Sequence, residues 1–292
     1  MLAGFRGEIR LNEPLALHTS LKVGGPADIF AVPADLEDLK WLLADLAVNR
    51  LPFLVIGGGY NILVKDGGFR GAVISLAGFN RLERILENFV TAGAGVTNGA
   101  LVRFAGKTGL GGLEFMIGIP GTVGGALSMN AGAHGEAILE RLANLTTLDR
   151  GMIISRGREE LEFGYRFLRL LPYEIILEVV FRLEERGRAE VAERIERFLA
   201  QRRTTQRVSY PNAGSFFKNP AGEQAWKLIE AAGLRGFRVG GAQVSEVHTN
   251  FLVNRGKATA GDFLELAGLV KERVKADSGI ELAEEVRIVG ED

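Results

Sequence analysis

With 292 residues, 47% of them hydrophobic, the chain can bury a large core and is long enough for two or three domains. A formal net charge of −1 leaves no global field to draw it onto nucleic acid or a lipid surface. The absence of cysteine excludes disulfides, thiolate zinc sites, iron–sulfur clusters and cysteine nucleophiles. The three histidines, His18, His134 and His248, have no helical ligand spacing, so no metal site is expected. The start, residues 1–10, lacks the apolar core of a signal peptide, and no apolar run is long enough to span a bilayer. A cytoplasmic protein without membrane insertion is the expectation.

In chain order, residues 28–32 read as a strand closed by Pro33. Asp35 caps a helix whose Leu36, Leu39, Leu42, Leu43 and Leu46 recur at helical spacing. A short buried strand at 53–56 runs into Gly57-Gly-Gly-Tyr-Asn61, and another strand follows at 72–76, giving a β-α-β-β unit. A second unit starts with a strand at 89–92 and a helix near 97–108 carrying Leu101, Val102 and Ala105 on its apolar face. A long glycine-rich stretch, 109–135, reads as one functional loop, since loops of that length inside a domain usually are. Strands resume at 142–148, 152–155 and 174–183, and a charged helix at 188–203 reads as a solvated face. The polar run 203–212 reads as a linker. Beyond it are expected a helix at 221–232, strands around 237–253, a helix at 260–277 and a last strand at 280–289.

The 39 glycines are about twice average usage. They cluster at 57–59, 67–71, 93–99, 109–125 and 232–241, as in a backbone that wraps a phosphate-bearing ligand. Gly57-Gly58-Gly59 after a strand invites a dinucleotide fingerprint, but Ile62 stands where its third glycine belongs and a strand follows instead of a helix. A tight loop with backbone N–H groups converging on an anion still fits, as does a plain glycine turn. The run Gly118-Ile-Pro-Gly-Thr-Val-Gly-Gly-Ala-Leu-Ser-Met-Asn-Ala-Gly-Ala133 is more specific. Gly121, Gly124 and Gly125 are spaced for a backbone folding over a ligand, and Asn130 can donate and accept.

The pair Gly57-Gly-Gly-Tyr-Asn-Ile-Leu-Val64 and Gly118-Ile-Pro-Gly-Thr-Val-Gly-Gly-Ala126 resembles the FAD-binding signature of the vanillyl-alcohol oxidase and p-cresol methylhydroxylase superfamily. Within it the chain resembles the UDP-N-acetylenolpyruvoylglucosamine reductase family, from Thr19-Ser-Leu-Lys-Val-Gly-Gly25 to Glu285-Val-Arg287. The resemblance implies an α+β fold: a two-subdomain FAD-binding module of the p-cresol methylhydroxylase type plus a C-terminal α+β substrate-binding domain. The expected division is 1–80, 81–205 and 206–292. Bound FAD would be held by Gly57, Gly58, Gly59, Tyr60, Asn61, Gly118, Ile119, Gly121, Thr122, Gly124, Gly125, Asn130, Ala131, Gly132 and Arg287.

The same resemblance implies chemistry at three residues. Ser215, in the loop Gly214-Ser-Phe-Phe-Lys-Asn-Pro220, would protonate C2 of the substrate after hydride reaches C3. Arg166, in Phe163-Gly-Tyr-Arg166, would meet the enolpyruvyl carboxylate as a permanent cation. Glu285 would act with Arg166 on the enolic intermediate. Tyr165, Lys218, Asn219 and Gln243 would contact substrate, and His248 reads as structural. The usual pattern Tyr-Arg-x-Ser has Leu168 at its fourth position here, and Thr-Gln-Pro has become Thr205-Gln206-Arg207. The ten-residue run from Arg166 to Ile176 leaves no room for the tyrosine-bearing loop that one form of the family carries.

The implied reaction is NADPH-dependent reduction of UDP-N-acetylglucosamine enolpyruvate to UDP-N-acetylmuramate, by a monomer with no nucleic-acid partner. An alcohol or sugar oxidase of the same superfamily would share the glycine loops without needing Ser215 or Glu285. A non-catalytic flavin or nucleotide-sugar binder would tolerate loss of Ser215, Arg166 or Glu285, and all three are present.

Overall fold

The computed structural model describes residues 4–205 and 207–292. Residues 1–3, part of the signal-peptide argument, and Gln206, within the linker and the Thr205-Gln206-Arg207 departure, lie outside them. The chain forms two compact units. One comprises Met1–Arg10, Phe30–Gly58 and Ala72–Arg202, the other Leu11–Ile29, Gly59–Gly71 and Arg203–Asp292.

In the first unit the strand Phe53–Ile56 pairs in parallel with 72–75 of the strand Phe69–Ser75. Helix α1, Leu36–Val48, precedes it, with Asp35 accepting from Asp38 N at 2.9 Å. Its apolar stripe buries Leu39, Leu42 and Leu46. Asp38 is buried too, because its carboxylate accepts from the N–H groups of Arg6, Gly7 and Ala34 at 2.8–2.9 Å.

A five-stranded antiparallel sheet follows, ordered Met152–Gly157, Leu142–Asp149, Ile175–Arg182, Phe89–Gly93 and Leu82–Leu86. Helix α2, Asn98–Lys107, is capped by Thr97 and buries Leu101, Val102 and Ala105. The expected single loop at 109–135 is in fact structured. It holds the short strand Leu110–Gly111, a 3-10 turn at Glu114–Met116, helix α3 at Val123–Ser128, and the hairpin Gly132–Ala133 with Glu136–Ala137. Leu110, Leu113, Phe115, Met116, Val123 and Leu127 are buried among its glycines, so the segment contributes its own share of core. Helix α4, Arg188–Thr205, closes the unit. It is not wholly a solvated face: Val191 and Phe198 are buried, and Arg194 turns inward to a buried carboxylate.

In the second unit a four-stranded antiparallel sheet is ordered Asn212–Ser215, Phe251–Asn254, Ala242–Val244 and Arg238–Val239. Helices α5, Ala225–Ala231, and α6, Ala260–Ser278, share one apolar core with it, including Phe216, Phe217, Ile229, Leu252, Phe263 and Val270. Thr259 and Asp262 form a capping box at the start of α6, and Gly279 ends it at φ +74°. The strand Ile62–Val64 pairs in parallel with Arg287–Val289.

Two expectations are corrected here. Only Arg287–Val289 of the run 280–289 is strand, because its pairing partner is just three residues long. Ser215 does not sit in a free loop but ends the strand Asn212–Ser215, paired opposite Phe251. Among the described residues no helix is long and apolar enough to cross a membrane, and no His/Asp/Glu group could hold a metal.

Candidate functional site

In the first unit the two glycine motifs meet. A Cβ on Gly57 would lie 2.5 Å from the Thr122 Oγ1, which caps α3 by accepting from Gly125 N at 3.4 Å. Gly124 donates its N–H to Ala94 O at 2.9 Å, and a Cβ there would come within 2.9 Å of the Ala94 Cβ. Gly118 and Gly121 take φ of +79° and +106°, conformations that favour glycine. A Cβ on Gly125 would meet the Thr122 Oγ1 at 3.5 Å, an ordinary contact.

Sequence reasoning missed two residues of this loop. Asn98 is buried; its side chain donates to the carbonyls of Ile119 and Pro120, each at 3.3 Å, and its own N–H to Gly121 O at 3.0 Å. The guanidinium of Arg202 lies beside Gly118, and among the described residues no carboxylate pairs with it. Burial alone holds its pKa below the usual arginine value. The only sequence signal for either was a polar side chain at a helix end.

A glycine-rich backbone, flanked by a cation with no paired carboxylate among the described residues, fits a phosphate-bearing cofactor such as FAD.

Tyr165 and Arg166 form the turn of a hairpin between Phe163–Gly164 and Phe167–Leu168. Arg166 has φ +56°. Its guanidinium donates to Gly132 O at 2.9 Å and Asn130 O at 3.4 Å, and lies over the Tyr165 ring at 5.1 Å. The Asn130 side chain donates to Gly164 O at 2.8 Å and accepts from Leu139 N at 3.2 Å. Ala131 is buried beside it. Leu168, where the pattern has serine, is also buried and pairs with Phe163. Residues 169–174 alone join this hairpin to the strand Ile175–Arg182.

The second unit holds Gly59, Tyr60, Asn61, Ser215, Lys218, Asn219, Gln243, Glu285 and Arg287. It brings several of them together. Gly214, at φ +73°, turns the chain into Ser215. The carbonyl of the next residue, Phe216, accepts from Glu285 N at 2.8 Å, so Ser215 and Glu285 are carried by hydrogen-bonded neighbours. Asn61 donates from Nδ2 to Glu285 O at 3.1 Å and accepts from Arg287 N at 3.0 Å. Glu284 instead pairs with Lys271 of α6 at 2.9 Å.

Gly59 takes φ +69° where a Cβ would strike His18 O. Tyr60 and Arg287 are exposed. Lys218 donates its backbone N–H to Ala283 O at 2.8 Å, and Asn219 Oδ1 accepts from Ala225 N at 3.0 Å, where α5 begins. Gln243 is buried with Nε2 donating to Gly236 O at 2.9 Å. His248 is half-buried against Trp226 and Phe251, and burial lowers its pKa.

An FAD binding domain model matches residues 27–151, and one for the C-terminal domain of UDP-N-acetylenolpyruvoylglucosamine reductase matches 206–289. The reductase of that name from Geotalea uraniireducens is 60% identical over 292 residues, covering 100% of this chain and 97% of its own. That of Geobacter sulfurreducens is 58% identical over 290 residues, covering 99% and 97%. The crystal structure of UDP-N-acetylenolpyruvylglucosamine reductase from Thermus caldophilus superposes with a TM-score of 0.82 at 36% identity, covering 97% and 98% of the two chains.

Proposed function

The chain belongs to the UDP-N-acetylenolpyruvoylglucosamine reductase family, and on that premise we propose how its residues carry out the reaction. It is an FAD-dependent oxidoreductase that reduces UDP-N-acetylglucosamine enolpyruvate to UDP-N-acetylmuramate, with NADPH as electron donor, in peptidoglycan precursor synthesis. FAD, when bound, supplies the hydride that adds to C3 of the enolpyruvyl group.

The observation that supports the assignment of roles is the bond from Glu285 N to Phe216 O, which ties the backbone of Glu285 to the residue after Ser215. Hydride addition at C3 leaves negative charge spread over C2 and the adjoining carboxylate. Ser215 holds the proton that C2 takes up, and its oxygen regains one from solvent. Arg166 is a permanent cation whose planar fork is aimed by two backbone carbonyls, which suits it to the carboxylate where the charge gathers. Glu285, anchored through Phe216 and Asn61, steadies the enolic intermediate.

The glycines at 57–59, 118, 121, 124 and 125, with Ile119, Thr122, Tyr60, Asn61, Asn130, Ala131, Gly132 and Arg287, hold the cofactor; Arg202 joins them as a phosphate partner. Tyr165, Lys218, Asn219 and Gln243 meet the nucleotide sugar. The protein works as a cytoplasmic monomer, divided at 1–80, 81–205 and 206–292. An oxidase of the same superfamily would need the glycine cradle alone; the presence of Ser215 and Glu285 on hydrogen-bonded segments favours the reductase.

Ser215→Ala tests the proton assignment. NADPH should still reduce the flavin at the wild-type rate, while reoxidation by the enolpyruvyl substrate slows by about 10²–10⁴-fold, the usual worth of a positioned acid. Equal slowing of both half-reactions would contradict it.

A further inference from the structure

Asn250 stands outside every role assigned above, yet it is 2% exposed and makes three hydrogen bonds to the two residues after Ser215. Its backbone carbonyl accepts from Phe216 N at 2.8 Å. Its side-chain Oδ1 accepts from Phe217 N at 2.9 Å, and its Nδ2 donates to Phe217 O at 2.8 Å. The reason lies in the register. Ser215 pairs with Phe251 in an antiparallel ladder and Phe216 N meets Asn250 O, so continued pairing would set Phe217 opposite Thr249. The chain turns there instead: Phe251 N bonds back to His248 O at 2.9 Å, and the Thr249 hydroxyl is taken by Trp226 O at 2.5 Å. The Asn250 amide meets both backbone groups of Phe217 at the point where that pairing stops. A primary amide offers a donor and an acceptor side by side, as a peptide does, and the isosteric carboxylate of aspartate offers only acceptors.

The clamp bears on both candidate catalytic residues of this unit. The strand Asn212–Ser215 already carries a register irregularity before Ser215, so its pairing does not fix the serine by itself. A slip of one residue would turn Ser215 to the opposite face. On its far side the clamped segment holds the chain of Glu285: Phe216 O accepts from Glu285 N, Phe217 bridges Glu284, and Lys218 N bonds Ala283 O. We infer that Asn250 is a positioning residue for proton delivery, holding Ser215 and Glu285 in mutual register through Phe216 and Phe217. This inference rests on the reductase reading of Ser215.

Asn250→Asp tests it, since the side chain keeps its shape and its acceptor but loses the donor to Phe217 O. In the flavin-loaded variant the NADPH half-reaction should stay within about twofold of wild type. Reoxidation by the enolpyruvyl substrate should slow at least ~10-fold, with little change in substrate affinity, as expected of a misplaced reacting group. A protonated carboxyl can donate to Phe217 O, so the ratio of variant to wild-type reoxidation should recover as pH falls from about 8 to about 5.5. Combined with Ser215→Ala, the substitution should cost no further rate, because its effect passes through the serine.

Unchanged reoxidation, or parallel loss of both half-reactions with no recovery at low pH, would overturn the inference. If Ser215→Ala alone leaves reoxidation intact, the reading of Ser215 fails and takes this inference with it. If Ser215→Ala slows it and Asn250→Asp does not, only the positioning role fails. Should Asn250→Asp not fold, Asn250→Ser, whose hydroxyl can serve only one of the two Phe217 groups, replaces it with the same readouts.

Discussion

Replacing Glu114 by glutamine should destabilise the first unit more than any substitution of an exposed charge. Glu114 is 2% exposed and lies in a closed ring of alternating charge. Its carboxylate meets Arg194 at 3.4 Å and Arg186 at 3.8 Å; Arg194 meets Glu136 at 3.7 Å; Glu136 meets Arg141 at 2.9 Å; Arg141 meets Glu184 at 3.0 Å; and Glu184 returns to Arg186 at 2.6 Å. Removing one partner of a fully buried pair costs about 3–5 kcal/mol, because the other charge is left without compensation. Here the arginine side chains keep 19% and 25% of their exposure and retain other carboxylates, so about half that cost, ~2 kcal/mol, is the expected loss. Glutamine can still accept from Gly112 N, which Glu114 does at 2.6 Å, so the charge is the main thing removed. In a unit of this size the loss corresponds to a fall in Tm of about 4–8 °C, read by scanning calorimetry of the flavin-loaded protein. A fall of less than about 1 °C would refute the claim that this ring stabilises the unit.

Other predictions concern the cradle and pH. Gly57→Ala should push the Thr122 hydroxyl from the start of α3 and lower flavin content per protein, measured by absorbance of the purified protein; full flavin loading would count against the close approach. Glu184 has its pKa lowered, first by the hydrogen bond from Arg186, with burial opposing. Its contribution is therefore present above the unfolded carboxylate value of roughly 4.3 and is lost as pH falls through the lower folded value. The Tm advantage of wild type over Glu184→Gln should shrink on acidification below about pH 4.5; an advantage that grows instead would contradict the pairing.

Some of this was legible along the chain and some was not, for physical reasons. The leucine spacing at 36–46 marks α1, because a periodic stripe is a local property of sequence. The interior of 109–135 was opaque. Glycines signal a loop, but Leu110, Phe115, Val123 and Leu127 fold that run against residues far away. Pairing Ile62–Val64 with Arg287–Val289 joins opposite ends of the chain, and nothing in three apolar residues names its partner. The charge ring escaped notice because Glu114, Glu136 and Arg194 look like surface residues until the fold buries them together. The family motifs drew attention to Ser215, Arg166 and Glu285. Asn250 carries no such mark, since an asparagine reads alike whether it clamps a strand or faces water.

The central claim is most directly tested by mixing purified protein with NADPH and UDP-N-acetylglucosamine enolpyruvate and following absorbance. The account predicts a yellow, FAD-bearing protein that oxidises NADPH rapidly only when the sugar nucleotide is present, forming UDP-N-acetylmuramate. A colourless protein, or NADPH oxidation no faster with the sugar nucleotide than without it, would contradict it.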